Sequence, residues 1–350
     1  MSDTADSDTS KGSSATQGDW LIYRGNNQQR DWKVPEPPSW RPRRASLADA
    51  REGDSLREKL SENTIAKGKT YQVDARLDDV IRRMVNAALH LRRPLLVTGG
   101  PGTGKSSLID SVAYELNLGE PLRWSVTSRS TLRDALYSYD AIGRAQGKGA
   151  VTGSDKDLDV GDFIELGPLG TAMLPALKPR ALLIDEIDKA DIDLPNDLLN
   201  VIEEGRYHIP ELSRLKKKEM WVRGFGGEKT IRIIDGKVES YEFPLVVMTS
   251  NGERDFPAPF LRRCLRMTMP DPCDNADRLK AIVQAHLGED KVTKAADLIT
   301  SFVARAKEGQ VLATDQLLNA IQLVMGAYSM TDADRDSMLK SLTAELGRKA

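Results

Sequence analysis

Between residues 77 and 126 the apolar positions change period several times. In LDDVIRRMVNAALHLRR, Leu77, Val80, Ile81, Met84, Val85 and Leu89 recur at helical spacing, so one stripe of a helix is apolar. PLLVTG (94–99) is a short unbroken apolar run closed by glycine, the pattern of a strand buried on both faces. SLIDSVAYELNL (107–118) returns to the helical period and LRWSV (122–126) to a strand. The alternation continues through ALLID (181–185), LPNDLLNVIEEG (194–205), LVVMTS (245–250) and LRMTM (265–269), with Gly205 marking a helix exit. Short buried strands separated by helices predict an α/β fold, a mainly parallel sheet covered on both faces.

After Pro272 only the helical period remains. NADRLKAIVQAHL, TKAADLITSFVARAKE, TDQLLNAIQLVMGAY and TDADRDSMLKSLTAEL predict an all-helical unit over residues 273–350. Thr314 and Thr331 fall at N-cap positions, and TDAD (331–334) reads as a capping box. At the other end, residues 1–18 are acidic and Ser/Thr-rich with no apolar h-region, which predicts a disordered tail. Residues 19–68 form an arm that opens with Trp20, Trp32 and Trp40 among prolines and arginines. Prolines at 35, 37, 38 and 42 exclude a helix over 19–45 and favour extended chain. The segment reads as a flexible linker or as a docking arm; an exposed tryptophan cluster of that size is unusual, so the tryptophans are expected to dock on the adjoining α/β domain. That domain is expected over 69–272.

Composition narrows the function classes. The formal net charge is −2 over 350 residues, so no overall basic field asks for nucleic acid, and none is expected as a partner. No apolar run approaches the roughly 18 residues of a membrane span. Cys264 and Cys273 stand alone, and His90, His208 and His286 are scattered. That is neither a disulfide framework nor a zinc pattern, and a reducing, cytoplasmic setting fits.

The candidate chemistry sits at the strand ends. GGPGTGKSS (99–107) satisfies G-x-x-x-x-G-K-S between a predicted strand and a predicted helix. Gly99, Gly100, Pro101, Gly102, Thr103, Gly104, Lys105, Ser106 and Ser107 are therefore the expected phosphate cradle. Glycines let backbone N–H groups converge on phosphate oxygens at a helix N-terminus. Lys105 would reach the β and γ phosphates, and Ser106 would ligate Mg2+. ALLID ends in Asp185, suited to the Mg2+ shell, and Glu186 follows, suited to polarising the attacking water. Asp188 and Asp191 are expected to face solvent or to start the next helix. LVVMTS is followed by Asn251, which would orient that water or else serve as an Asx-turn residue. Arg262 and Arg263 lie beyond, in APFLRR. They read either as a surface pair or as guanidinium groups addressed to a neighbouring subunit's nucleotide, which requires a head-to-tail oligomer.

Two segments stand outside that core. Residues 147–166 read as a loop or hairpin, with Phe163 and Ile164 as candidates to touch a protein cargo, or as a surface loop packed locally. Residues 211–243 alternate around Asp235–Gly236, which predicts a hairpin. Its RLKKK run beside Trp221 reads as a nucleic-acid contact or a solvated face.

Together these elements resemble the AAA+ ATPases over residues 70–345. The stretches SVTSRSTLRDALYSYDAIGRAQ, FIELGPLGTAMLPALKPRALLIDEIDKADIDLPNDLLNVIEEGRYHIPEL and VVMTSNGERDFPAPFLRRCLRMTM resemble the MoxR-like subfamily, a helix-2-insert branch that works beside von Willebrand factor A-type proteins. The resemblance implies Walker A at Gly99–Ser106, Walker B at Asp185–Glu186, sensor 1 at Asn251 and arginine fingers at Arg262 and Arg263. It implies a sheet in the order 5-1-4-3-2, a helical lid, a hexameric ring, and use of ATP and Mg2+ to remodel a protein partner, in some relatives within bacterial defence gene sets. Such lids usually present a sensor-2 arginine near the start of the third helix, yet nothing basic occurs from Gly309 through Asp334. A slow nucleotide-gated switch or scaffold and a nucleic-acid-stimulated motor are the alternative readings.

Overall fold

The computed structural model describes residues 20–73, 79–150, 159–227, 229–325 and 331–344. The expected tail over 1–18 lies outside the described residues, as does most of the Gly/Asp-rich part of the 147–166 insert.

Five parallel strands form the central sheet: β1 (Leu95–Thr98), β2 (Leu122–Ser125), β3 (Ala181–Asp185), β4 (Leu245–Ser250) and β5 (Leu265–Thr268). Their spatial order is β5-β1-β4-β3-β2, the 5-1-4-3-2 arrangement that the resemblance implies. Pleating sends alternate residues to opposite faces. Leu95, Val97, Ala181, Leu183, Leu245 and Val247 join one apolar cluster with the helices Asp79–Leu91 and Leu108–Leu116. Leu96, Leu182, Ile184, Val246 and Met248 join a second cluster with Leu198, Leu199 and Ile202 of the helix Leu194–Glu204. That double burial is why these strands read as continuous apolar runs rather than as alternating ones. Gly205 ends the last helix at φ 63°. A Cβ there would come within 2.7 Å of the Phe243 ring, so a side chain would meet both strain and collision.

A second sheet of six strands closes the other side of that second cluster. In spatial order it runs Tyr137–Tyr139, Ile164–Leu166, Glu219–Arg223, Thr230–Ile234, Lys237–Glu239 and Arg206–His208. The hairpin expected around Asp235–Gly236 is present: both turn residues have positive φ, 53° and 66°, as a two-residue I′ turn requires. Met220 and Val222 point into the core while Trp221 is exposed. Phe163 and Ile164, candidates to project toward cargo, do not protrude. Ile164 is fully buried at the start of a strand, and Phe163 is half-buried beside it. The apolar residues after the Gly/Asp-rich stretch fill the core rather than a protruding tip.

The N-terminal arm docks, but with other anchors than expected. Trp40 is exposed, and Trp20, half-exposed, meets the His90 ring at 6.4 Å between centroids; Trp32 packs on the core and donates from Nε1 to the Leu116 carbonyl at 2.8 Å. Ile22 and Tyr23 carry the contact. Buried Asn86 accepts the N–H groups of Ile22 (2.6 Å) and Tyr23 (2.9 Å) and donates to the Tyr23 carbonyl (2.7 Å). The Tyr23 and Ser111 hydroxyls meet at 2.8 Å, and the Glu115 carboxylate accepts from the backbone of Arg24 and Asn26. Burial raises the pKa of Glu115 and those N–H donors oppose the rise. Beyond residue 45 the arm is helical over Leu47–Ser55 and Glu62–Thr70, each N-capped by a serine, Ser46 and Ser61. Asn86→Ala would delete the three hydrogen bonds that tie residues 22 and 23 to the helix Asp79–Leu91, although the Ile22 N–H keeps the Trp20 carbonyl at 3.1 Å. It is expected to cost about 3 kcal/mol, at roughly 1 kcal/mol per lost hydrogen bond, measured by urea denaturation. An unchanged midpoint would mean that the arm adds nothing to stability.

The C-terminal helices Ala276–Leu287, Glu289–Lys294, Ala296–Lys307 and Thr314–Val324 surround an apolar cluster of their own, with Leu279, Val283, Ile299, Phe302, Leu317 and Ile321 at its centre. Thr331 caps Asp332–Leu342 as expected, accepting the Asp334 N–H. Thr314 does not cap its helix. The N-cap is Ala313, and Thr314 is the first helical residue.

Candidate nucleotide site

Four segments, distant in sequence, meet at the C-terminal ends of β1, β3 and β4. The loop after β1 turns through Gly99, Gly102 and Gly104, at φ 149°, 70° and 85°, and delivers Lys105 and Ser106 below the helix Leu108–Leu116. Lys105 Nζ donates to the carbonyls of Gly99 (2.8 Å) and Gly100 (2.7 Å) and to Asn251 Oδ1 (2.9 Å). Burial lowers its pKa, opposed by the carboxylates of Asp185, Asp188 and Glu186. The ammonium is thus held by neutral oxygens that phosphate oxygens could replace.

Ser106 Oγ donates to Asp185 Oδ1 at 2.7 Å. A second hydroxyl, Thr249 Oγ1, donates to the same carboxylate oxygen and accepts the Glu186 N–H at 2.9 Å. Sequence reasoning misses Thr249, although parallel pairing of Met248 with Ile184 puts it opposite Asp185. It fixes an unusual backbone. Glu186 sits at φ 58°, ψ 48°, a left-handed conformation that non-glycine residues rarely adopt and that persists only where surroundings enforce it. The Glu186 carboxylate is paired with Lys189 Nζ at 2.7 Å, and that hydrogen bond raises the pKa of Lys189. Glu186 borders an open cavity of about 500 Å³ shared with Thr127, Ser128, Glu253 and Arg254.

Asp188 departs from the expectation that it faces solvent. It is 4% exposed, and its Oδ2 accepts the N–H groups of Asn251 (3.0 Å) and Glu253 (3.1 Å). The carboxylate is drawn inward because the turn after β4 leaves those two donors unpaired otherwise. It therefore positions the loop that carries Asn251. Asp191 is exposed, as expected.

The two arginines diverge. Both lie on the short helix Ala258–Arg263. Arg263 is tied within the chain, Nη1 donating to Asn200 Oδ1 and Nε pairing with Glu203 Oε2, each at 3.2 Å. The Arg262 side chain is exposed and makes no hydrogen bond or ion pair among the described residues.

A cavity of about 260 Å³ opens on the other side of the glycine loop, between Gly102, Gly104 and Ser107 on one wall and Tyr71, His286 and Leu318 on another. It has the mixed apolar and polar lining of a small-ligand site. Burial lowers the pKa of His286, so the neutral ring is favoured there. Among the described residues no cluster of three or more His, Cys, Asp or Glu could hold a metal alone. The Ser106 hydroxyl and Asp185 carboxylate suit Mg2+, which keeps waters and takes its other oxygens from a phosphate substrate. Among the described residues no helix is long and apolar enough to cross a membrane.

Residues 94–263 match the AAA domain of the dynein-related subfamily. No curated protein matches the chain. Among solved structures, NtrX from Brucella abortus in complex with ADP is similar at 13% identity and a TM-score of 0.39, over 83% of this chain and 56% of that one. Its complex with ATP is similar at 14% and 0.39, over 81% and 58%. A single-site variant of RuvB from Thermotoga maritima is similar at 13% and 0.36, over 77% and 68%. The chain therefore spans little more than half the length of the NtrX chains. With the glycine loop between β1 and its helix, the acid-ended strand β3 and the 5-1-4-3-2 order in one sheet, the α/β body of this chain is a P-loop AAA+ domain.

Proposed function

We propose that this chain is a Mg2+-dependent, MoxR-like ATPase that assembles head to tail into a hexameric ring and uses hydrolysis to remodel a protein partner. A von Willebrand factor A-type partner and a bacterial defence setting suit that subfamily, and a cytoplasmic location suits the cysteine usage. The observation that carries the reading is the convergence of Lys105, Ser106, Asp185 and Asn251 through direct hydrogen bonds.

In this reading the amides from Gly102 to Ser107 cradle the phosphates, and Lys105 exchanges its carbonyl partners for β and γ oxygens. Ser106 and Asp185 hold Mg2+, which when bound neutralises charge on the triphosphate. Glu186 accepts a proton from the attacking water, and Asn251 orients that water or the γ-phosphate. An arginine from the next protomer completes the charge neutralisation.

The slow-switch alternative has one observation in its favour. Glu186 is engaged by Lys189, so the base must be released before it can act. A nucleic-acid motor would draw on the exposed Trp221 beside the basic run 214–218, where Lys217 and Lys218 are already paired with Asp159 and Asp235.

Lys105→Ala tests the site. It is expected to abolish ATP hydrolysis and to weaken Mg2+-ATP binding at least ten-fold, as loss of a charged phosphate contact should. Phosphate release and titration calorimetry read the two effects. Hydrolysis at the parent rate would remove the glycine loop from the mechanism.

A further inference from the structure

The helix Thr314–Val324 begins without a cap. Ala313 occupies the N-cap position and offers no side-chain acceptor. Alanine is among the poorest residues there. Gln316 Oε1 takes the Ala313 N–H at 2.9 Å, and the Gln316 N–H bonds to the Ala313 carbonyl at 3.0 Å. The N–H groups of Thr314 and Asp315 have no acceptor among the described residues. Thr314 is only 7% exposed, and its hydroxyl is buried without a hydrogen-bond partner. A buried helix start normally finds acceptors for its first-turn donors, and an unpaired buried hydroxyl is costly.

That helix start lies against the glycine loop. A Cβ built on Gly102 would fall 2.6 Å from Ala313 Cβ and 2.9 Å from Thr314 N. Thr314 and Asp315 line the same 260 Å³ cavity as Gly102, Thr103, Gly104 and Ser107. Residues of the lid and of the loop therefore line one space, and the positive end of a three-turn helix favours an anion there. The Asp315 carboxylate opposes this, but it is exposed, and water screens its repulsion.

We propose that a phosphate oxygen of the bound nucleotide caps this helix, making Thr314 and the first-turn amides the lid's contact with the ligand. The proposal rests on the nucleotide reading above. It gives the lid a way to respond to occupancy through this helix start, alongside Arg278, which lines the same cavity: nucleotide supplies the missing cap, and its departure leaves the helix start unpaired again.

The test compares Thr314→Val, which keeps the shape and deletes the hydroxyl, with Thr314→Ser, which keeps the hydroxyl. ADP affinity of the full chain is measured by titration calorimetry, and melting is followed without nucleotide. Thr314→Val is expected to weaken ADP about ten-fold, the effect of one hydrogen bond to a charged group, while melting at a higher temperature because an orphaned hydroxyl is gone. Thr314→Ser should bind ADP within about two-fold of the parent by the same reasoning. If Thr314→Val fails to fold, amide exchange in the parent decides: ADP should slow exchange across residues 312–318, and unchanged exchange there overturns the cap. ADP binding that depends on Lys105 but is indifferent to Thr314→Val overturns the cap alone. Absence of ADP binding by the parent overturns the nucleotide site and the cap together.

Discussion

Glu186→Gln is expected to lower ATP turnover by at least about 10²-fold, the usual contribution of a positioned general base, while ATP binding persists. The substitution is close to isosteric. The backbone N–H that holds residue 186 in its left-handed conformation bonds to Thr249, not to the side chain, so the turn should survive. Lys105, Ser106 and Asp185, which would carry binding, do not bond to the Glu186 carboxylate. What is lost is the proton acceptor and the ion pair with Lys189. Single-turnover phosphate release and nucleotide titration on the same sample separate the two effects. Turnover at the parent rate would strip Glu186 of its role, and loss of binding would mean that the turn itself had collapsed.

Arg262→Ala and Arg263→Ala should part company. Arg263 is engaged by Asn200 and Glu203, whereas Arg262 is exposed and unengaged among the described residues. Neither lines the cavities on the two sides of the glycine loop, so neither serves its own chain's nucleotide in this arrangement. Arg262→Ala is expected to lower turnover about 10³-fold or more, the range for an arginine supplied in trans, with ATP affinity nearly intact. Arg263→Ala should act on stability, by about 1 kcal/mol for a half-exposed pair, and on turnover only through the helix that carries Arg262. Mixing Arg262→Ala with Glu186→Gln should restore activity, because some interfaces then join an intact base to an intact arginine. Failure of the mixture to recover, with activity in isolated protomers, would refute the shared site.

The central strands β1, β3 and β4 and the glycine loop are legible in the sequence because those strands are short apolar runs buried on both faces, closed by glycine, acid and asparagine in turn. The second sheet is not, beyond one hairpin. Its strands are three to five residues long, too short to display an alternating period, and Tyr137–Tyr139 and Ile164–Leu166 pair across an insertion. The helices Leu47–Ser55 and Glu62–Thr70 escape notice because Gly53 and Gly68 interrupt weakly apolar faces. Those glycines allow close packing: a Cβ on Gly53 would lie 2.0 Å from the Pro175 carbonyl. Asp188 and Thr249 look ordinary in sequence. Their roles come from backbone groups that only the folded turn after β4 and the β3–β4 pairing bring within reach.

The docked arm changes where this protein can be cut. A boundary drawn at residue 69 would keep the glycine loop, the acid pair, Asn251 and both arginines, and would remove Ile22, Tyr23 and Trp32. Asn86 would then lose three backbone partners from residues 22 and 23, Glu115 its clasp and the Leu116 carbonyl its indole, opening a wet apolar seam along the back of the phosphate-loop helix. Asn27, whose amide nitrogen ties down the carbonyls of Lys69 and Tyr71, would go as well, and with it the brace behind one wall of the ligand cavity. The smallest portion of this chain that can be expected to hold nucleotide therefore starts near residue 20.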